Sequence, residues 1–335
     1  RLNSAQWDRI MVPLYSVGNW GGFSMHLRGN TEGYMCAASR HKKLRIHTGS
    51  HFHPFLSEEG RMDQLRWFDY WLKGIDTGIM DEPPVKLEIR TGGGTRPYPF
   101  RFENEWPLAR TQWIRMYLSI ERAPSGEAEA SEGTLATTPP AKASSLSYPA
   151  SGVTKAGVAS GSSLATTHGN TGRTGVSFET APMAADTEIT GPIVLKLWVA
   201  STSEDMDIFV SIRNIGPDGK DVCEVGQHGQ PVPCVTKGWL RASHRKLDPA
   251  RSLPYRPYHA HNERLWLRPG EAVECDVEVW PTSMVFRKGH RLRLDIQPRD
   301  GVGSAPYTHY HADYNAGAEN TVFAGGDRAS YLLLP

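Results

Sequence analysis

A short α/β segment followed by a β-sandwich is the fold class that this sequence predicts, and three observations carry it. Residues 1–80 place two apolar runs and one aromatic helix in strand–turn–helix order. From residue 81 onward apolar residues alternate with polar ones at every second position. Gly (33), Pro (24), Trp (10) and Tyr (12) are frequent among the 335 residues, a mix that suits strands and turns better than helices. A chain of this length buries a sizeable core and makes more than one domain. The expected division is 1–80 and 81–335, with an Ala/Ser/Thr/Gly-rich surface excursion at about 121–175. A formal net charge of +1 argues against a nucleic-acid or polybasic membrane surface. No apolar run approaches the ~20 residues that a spanning helix needs.

The elements follow in order. Ile10 to Trp20 (IMVPLYSVGNW) is an apolar strand that ends in Gly-Asn, and Leu27 to Ser39 is a helix or turn segment. Lys43 to Ile46 is a second strand, in a run (KKLRIHTGSH) that opens into a Gly/Ser turn and presents His51. Ser57 is a candidate N-cap, Glu58 and Glu59 complement the first-turn dipole, and Gly74 stops the helix. Leu65, Phe68, Tyr70, Trp71 and Leu72 make that helix too apolar to be merely solvated. Then Val85, Leu87 and Ile89 alternate with Lys86, Glu88 and Arg90, the pattern of a half-buried strand. TQWIRMYLSI, IVLKLWVAS, MDIFVSIRN, AVECDVEVW and HRLRLDIQP repeat that style, with turns such as Pro217-Asp218-Gly219-Lys220 between them and one further strand near Leu146 to Tyr148. A two-sheet antiparallel sandwich of about eight strands is expected. Its inward residues would be Val85, Leu87, Ile89, Ile193, Leu195, Leu197, Leu292, Leu294 and Ile296.

Five blocks carry a family resemblance: LRIHTGSH, WFDYWLKGIDTG, ENEWPLARTQW, the Glu204-Asp205-Met206-Asp207 stretch, and WPTSMVFRKGHRLRLDI. In this order they resemble the cocaine-esterase and X-prolyl dipeptidyl-peptidase family of α/β-hydrolases, over nearly the whole chain. The resemblance implies the end of an α/β-hydrolase domain, then a jelly roll of galactose-binding-like type. It implies cleavage of an ester or amide through Ser, His and Asp. His51 matches the family's histidine, the general base that takes the serine proton and then protonates the leaving group. The nucleophile elbow G-x-S-x-G is absent from this chain. Gly22-Phe23-Ser24-Met25-His26 comes nearest and lacks the last glycine. The chain therefore reads as the C-terminal portion of a longer serine hydrolase, silent alone, whose partners are a small ester, amide or peptide and a missing N-terminal segment. A homo-oligomer is left open.

The triad acid is not placed. Where the family has an acid after the preceding strand, this chain has Gly21 within Gly18-Asn19-Trp20-Gly21-Gly22. Glu32, Glu58 and Glu59 are the nearby candidates, and each is otherwise a surface carboxylate. Other constellations compete. The pairs His51/His53, His259/His261 and His309/His311, the last followed by Asp313, could chelate a metal in a cupin-like enzyme; otherwise they are aromatic loop residues, and no metal or cofactor is expected. A carbohydrate- or protein-binding jelly roll is a third reading, though Trp198, Trp239, Trp266 and Trp280 default to core packing. Asp205 or Asp207 is expected to turn inward and pair with an arginine such as Arg291. Cys223 and Cys234 flank a turn-rich EVGQHGQPVP and could bridge a hairpin, although free thiols are expected. The compartment stays open, with the cytoplasm favoured.

Overall fold

The computed structural model describes residues 4–22, 25–92, 98–120, 133–150, 175–300 and 316–335. The first part contains α1 (Ser4–Trp7), β1 (Leu14–Asn19), α2 (Leu27–Cys36), β2 (Lys42–His47), α3 (His53–Leu56), α4 (Glu58–Lys73), β3 (Val85–Glu88) and β4 (Phe100–Glu103). Its strands form one sheet in the order β1-β2-β3-β4. β1 and β3 both run parallel to β2, and β4 closes one side antiparallel to β3.

This corrects the place of one strand. Val85, Leu87 and Ile89 are buried, but in a smaller core with Trp20, Leu27, Leu44 and Ile46, not inside the second sheet. The alternation also misled. Glu88 and Arg90, read as the solvent side, are buried too, because a strand inside a parallel sheet is covered on both faces. α4 follows its sequence signals closely. Ser57 Oγ accepts the Gly60 N–H (3.1 Å), and Gly74 closes the helix at φ 69°. The helix buries Trp67 and Asp63, yet Leu65, Phe68 and Leu72 remain exposed, against the expectation that they pack.

The rest is β-structure: β5 (Ile114–Ser119), β6 (Gly133–Ala136), β7 (Ser144–Pro149), β8 (Val176–Thr180), β9 (Thr187–Ser201), β10 (Asp207–Ile215), β11 (Glu224–Val225), β12 (Pro231–Val232), β13 (Cys234–Arg241), β14 (Val273–Phe286), β15 (Arg291–Gln297), β16 (Glu319–Ala324) and β17 (Tyr331–Leu334). Two facing antiparallel sheets were expected. Instead one hydrogen-bonded ladder runs β14-β13-β10-β15-β8-β6-β5-β17-β9 and closes on itself through β9 and β14, a barrel-like ring. β16 and β7 extend from β9. β6 and β8 pair parallel, the others of the ring antiparallel. Long β9 explains the closure: it pairs with β14 over most of its length and still reaches β17 and β16. Ile193, Leu195, Leu197, Leu292, Leu294 and Ile296 fill the interior, as the period of two predicts. The described part of the excursion holds two strands, β6 and β7, where one was expected.

The two parts are locked together. Arg90, fully buried, donates from Nε to the Ser283 carbonyl (3.0 Å) and from Nη2 to the Val235 carbonyl (3.2 Å) and the Thr282 hydroxyl. Arg28 on α2 donates from Nε to both carboxylate oxygens of Glu278 on β14 (2.8 Å each).

Candidate active site

His51 lies just beyond the C-terminal ends of the parallel strands, the edge at which open α/β sheets place their ligands. Local bonds build its loop. At the end of β2, the Thr48 N–H and hydroxyl both donate to the Glu88 carboxylate on β3 (2.7 and 2.6 Å). At the end of β1, Asn19 Nδ2 donates to the Gly49 carbonyl, and Asn19 Oδ1 accepts the Gly21 N–H, each at 2.7 Å. Gly49 turns the chain at φ 83°, a left-handed value that favours glycine. The His53 N–H then bonds the Ser50 carbonyl and opens α3.

A third element reaches in from the ring. The His51 N–H donates to the Gln227 carbonyl at 2.7 Å, on the hairpin between β11 and β12. The His51 ring stacks on His26 (4.8 Å between centroids) and meets the edge of Phe52. Its Nδ1 is buried without a hydrogen-bond partner, while the residue as a whole is half-exposed. Burial first, then the neighbouring His26 and His228 imidazoles, hold His51 below the usual histidine value. The ring is therefore neutral near pH 7, the form that can accept a proton.

The three carboxylates named as candidate acids are engaged elsewhere. Glu32 on α2 accepts from Arg256 (3.2 Å) and lies against Cys36 Sγ (3.8 Å). Glu59 accepts from Arg45 (3.0 Å) and Lys86 (3.2 Å). Glu58 is exposed in the first turn of α4. None of the three hydrogen-bonds His51. The glycine at the family's acid position has a steric cause. A Cβ on Gly21 would lie 2.8 Å from the Gln227 nitrogen and 3.0 Å from the Gly226 carbonyl carbon. The hairpin backbone occupies the space an acid side chain would use. Sequence reasoning noticed this hairpin only for its flanking cysteines; the local signal in Gly226-Gln227-His228 is no more than a turn.

The remaining constellations separate. Among the described residues no group of three or more His, Cys, Asp or Glu gathers as metal ligands. His259 is buried against the Asp276 carbonyl (3.0 Å), and His261 faces His244 (3.4 Å). His53 is exposed on α3. His309, His311, Asp313, Phe23 and Ser24 lie outside the described residues. The expected partner of the Asp205/Asp207 pair is corrected: Asp207 pairs with Arg241 (2.9 Å), and Asp205 accepts from Ser243 (2.6 Å). Arg291 faces Glu179 instead (3.5 Å). Cys223 and Cys234 are free thiols, and burial pushes the Cys234 thiol up to about 12. Of the four tryptophans read as core, Trp280 is buried and packs on half-buried Trp239 (5.2 Å), Trp198 is half-buried, and Trp266 is exposed beside Arg264.

Residues 77–333 match the profile of the X-Pro dipeptidyl-peptidase C-terminal non-catalytic domain. The chain belongs to that family. The matched span holds β3, β4 and the whole ring, and leaves His51 before it. Curated relatives share the likeness. A putative serine esterase of Mycobacterium bovis is 30% identical over 264 residues, covering 74% of this chain and 37% of that protein. The cocaine esterase of a Rhodococcus species is 24% identical over 297 residues, covering 80% of this chain and 44% of its own. Among solved structures, a CocE/NonD family hydrolase from Staphylococcus aureus superposes with a TM-score of 0.80 at 26% identity, over 98% of this chain and 55% of that one. The chain spans less than half the length of these curated relatives. The fold and the family's hydrolase character are thereby shown, and the cocaine-esterase and X-prolyl dipeptidyl-peptidase resemblance holds.

Proposed function

We propose that this chain is the C-terminal portion of a serine hydrolase and contributes His51 as the general base for acyl transfer from an ester or amide to water. The observation that carries the reading is the setting of His51. It sits at the C-terminal edge of a parallel sheet, with Nδ1 turned inward, a half-exposed ring and a depressed proton affinity. A serine hydroxyl brought to the open side of the ring would lose its proton to the imidazole. The imidazolium would then protonate the leaving group, and the same ring would activate the water that releases the acyl chain. The substrate would be a small ester, amide or peptide. The ring of strands, which we read as the jelly roll of galactose-binding-like type, would wall the acyl pocket through its Gly226–Gly229 turn.

The nucleophile would come from a hydrolase segment of the kind that fills the uncovered part of the relatives. Two features support such a neighbour. β1 is an edge strand among the described residues, and an unpaired strand edge offers its free N–H and C=O groups to a further strand. α3 and α4 expose Phe55, Leu56, Leu65, Phe68 and Leu72 beside it, a patch that marks an interface.

The chain alone should therefore neither label with a fluorophosphonate probe nor hydrolyse a p-nitrophenyl ester above background. Joined to a hydrolase segment that carries G-x-S-x-G, in cis or co-expressed, it should gain both. His51→Ala should then lower the rate at least about a thousandfold. An active assembly indifferent to His51→Ala would refute the assignment.

A further inference from the structure

We propose that Gln227 is the positioning residue of His51: its side-chain carbonyl accepts the His51 Nδ1–H and so leaves Nε2 free to take the serine proton. This inference rests on the reading of His51 as the base and supplies the orienting group which that reading lacks.

Two polar atoms at this contact are orphaned. His51 Nδ1 and Gln227 Oε1 are both buried and both without a hydrogen-bond partner. One can donate and the other can only accept. Leaving either unmet is unfavourable, because a buried polar atom has given up its bonds to water. The two atoms belong to residues already joined through the main chain at 2.7 Å, which brings both residues to one contact. The Gln227 residue is 5% exposed. Its Nε2 meets only the exposed His228 ring, at 3.2 Å, a contact that water replaces readily. Rotation of the Gln227 side chain, whose terminal torsion is soft, would satisfy both orphans at once.

The surroundings exclude the usual alternative. The hairpin backbone would collide with any side chain at Gly21. Glu32, Glu58 and Glu59 do not bond His51. The charged or titratable groups that act on His51 are His26 and His228, both imidazoles. Among the described residues, an amide brought from another element is what remains. A neutral amide suffices for this task, because the orienting group holds the tautomer and need not carry charge; Cys-His-Asn sites work this way. The hairpin is firm enough to serve. Glu224 at its root accepts from the Tyr98 hydroxyl (2.7 Å), and the Gly226 N–H closes the turn on the Gln230 carbonyl (2.7 Å). A domain described as non-catalytic would then hold the catalytic base in its working tautomer.

The test reads His51 directly in the chain as it stands, by 15N-histidine NMR, with His51→Ala to assign the signal. Wild type should show the Nδ1–H tautomer. Gln227→Glu, nearly isosteric, should raise the His51 titration midpoint by at least about one pH unit, a tenfold gain in proton affinity. Gln227→Met should shift the tautomer ratio toward Nε2–H. Unchanged signals of His259, buried against β14, report that each variant is folded. Should the Met variant unfold, the Glu variant decides. An Nε2–H tautomer in wild type, or a His51 midpoint unmoved by Gln227→Glu, overturns the proposal. Activity of the assembly with its hydrolase segment separates the two claims. Loss of rate in His51→Ala together with an unshifted pH profile in Gln227→Glu sinks Gln227 alone. Retained rate in His51→Ala sinks the base assignment, whatever the titration shows.

Discussion

At the scale of single residues the site is governed by which polar atoms find partners. His51 titrates low because burial disfavours its charged form and because two imidazoles face it. The sign of the stability effect follows. A histidine whose folded midpoint lies below its unfolded value binds fewer protons in the native state, so it costs stability as pH falls from about 6.5 toward the folded midpoint, and nothing above. His26→Leu removes one of the two neighbouring rings and should raise the His51 midpoint toward the usual value, although burial, the larger cause, stays. A midpoint that falls or holds still by NMR would show that the stacked ring does not oppose the charge. Asp63 illustrates the opposite sign. Burial raises its carboxyl, but the Tyr15 hydroxyl (2.8 Å) and Arg45 (2.6 Å) outweigh burial and hold it below the usual carboxylate value. That cluster stabilises the fold above the ordinary carboxylate midpoint and loses its contribution as acid titrates Asp63. Asp63→Asn should cost about 1–3 kcal/mol at neutral pH, because buried Arg45 keeps only the more exposed Glu59 as its charge partner, and denaturant unfolding should show the difference shrink in acid. The placement of His51 on an open loop after a parallel strand was legible in the sequence because strand, turn and histidine are contiguous. The place of Gln227 was not, since it is contributed from far along the chain by a two-residue-strand hairpin that no periodicity marks.

At the scale of elements, local signals served well where one segment holds all the determinants. Helix α4 carries its own cap, dipole complement and stop, and all three lie where the sequence puts them. Ser57→Ala should cost about 1 kcal/mol in denaturant unfolding, since it frees the Gly60 N–H; a variant as stable as the wild type would mean the cap is redundant. Signals failed where a second segment decides. β3 alternates like a half-exposed strand, yet a parallel neighbour, Arg90 bonds to the ring and the Thr48–Glu88 clamp bury its polar side as well. Gly21 is the clearest case: its reason is the hairpin against it. Gly21→Asp restores the residue type the family resemblance leads one to expect, and it should destabilise the chain by about 1–3 kcal/mol through overpacking against main-chain atoms that cannot swing aside. A stable Gly21→Asp protein with a raised His51 midpoint would show that the hairpin yields and that an acid can take the position.

At the scale of the molecule, the ring and the small sheet differ in how complete they are. Apart from the segments outside the described residues, the ring closes its own ladder and fills its interior with the residues that the period of two marks. The small sheet keeps a parallel edge at β1 and leaves one face of α3 and α4 uncovered. Leu72 is 77% exposed, Leu56 75% and Leu65 47%, so these side chains add little to the stability of the chain by itself. The apolar composition that suggested packing does not find it within the described residues; under the proposed function the hydrolase segment would cover this face. The triple variant Leu56→Gln, Leu65→Gln, Leu72→Gln should accordingly unfold within about 0.5 kcal/mol per site of the wild type. It should also elute as a smaller or less self-associated species in size-exclusion chromatography, since an uncovered apolar face drives association of copies. When the hydrolase segment is supplied, the same three changes should prevent the gain of esterase activity while leaving the His51 titration unmoved. If they instead unfold the isolated chain, that face belongs to its own core; if activity still appears, the hydrolase segment docks elsewhere and the apolar stripe serves another contact.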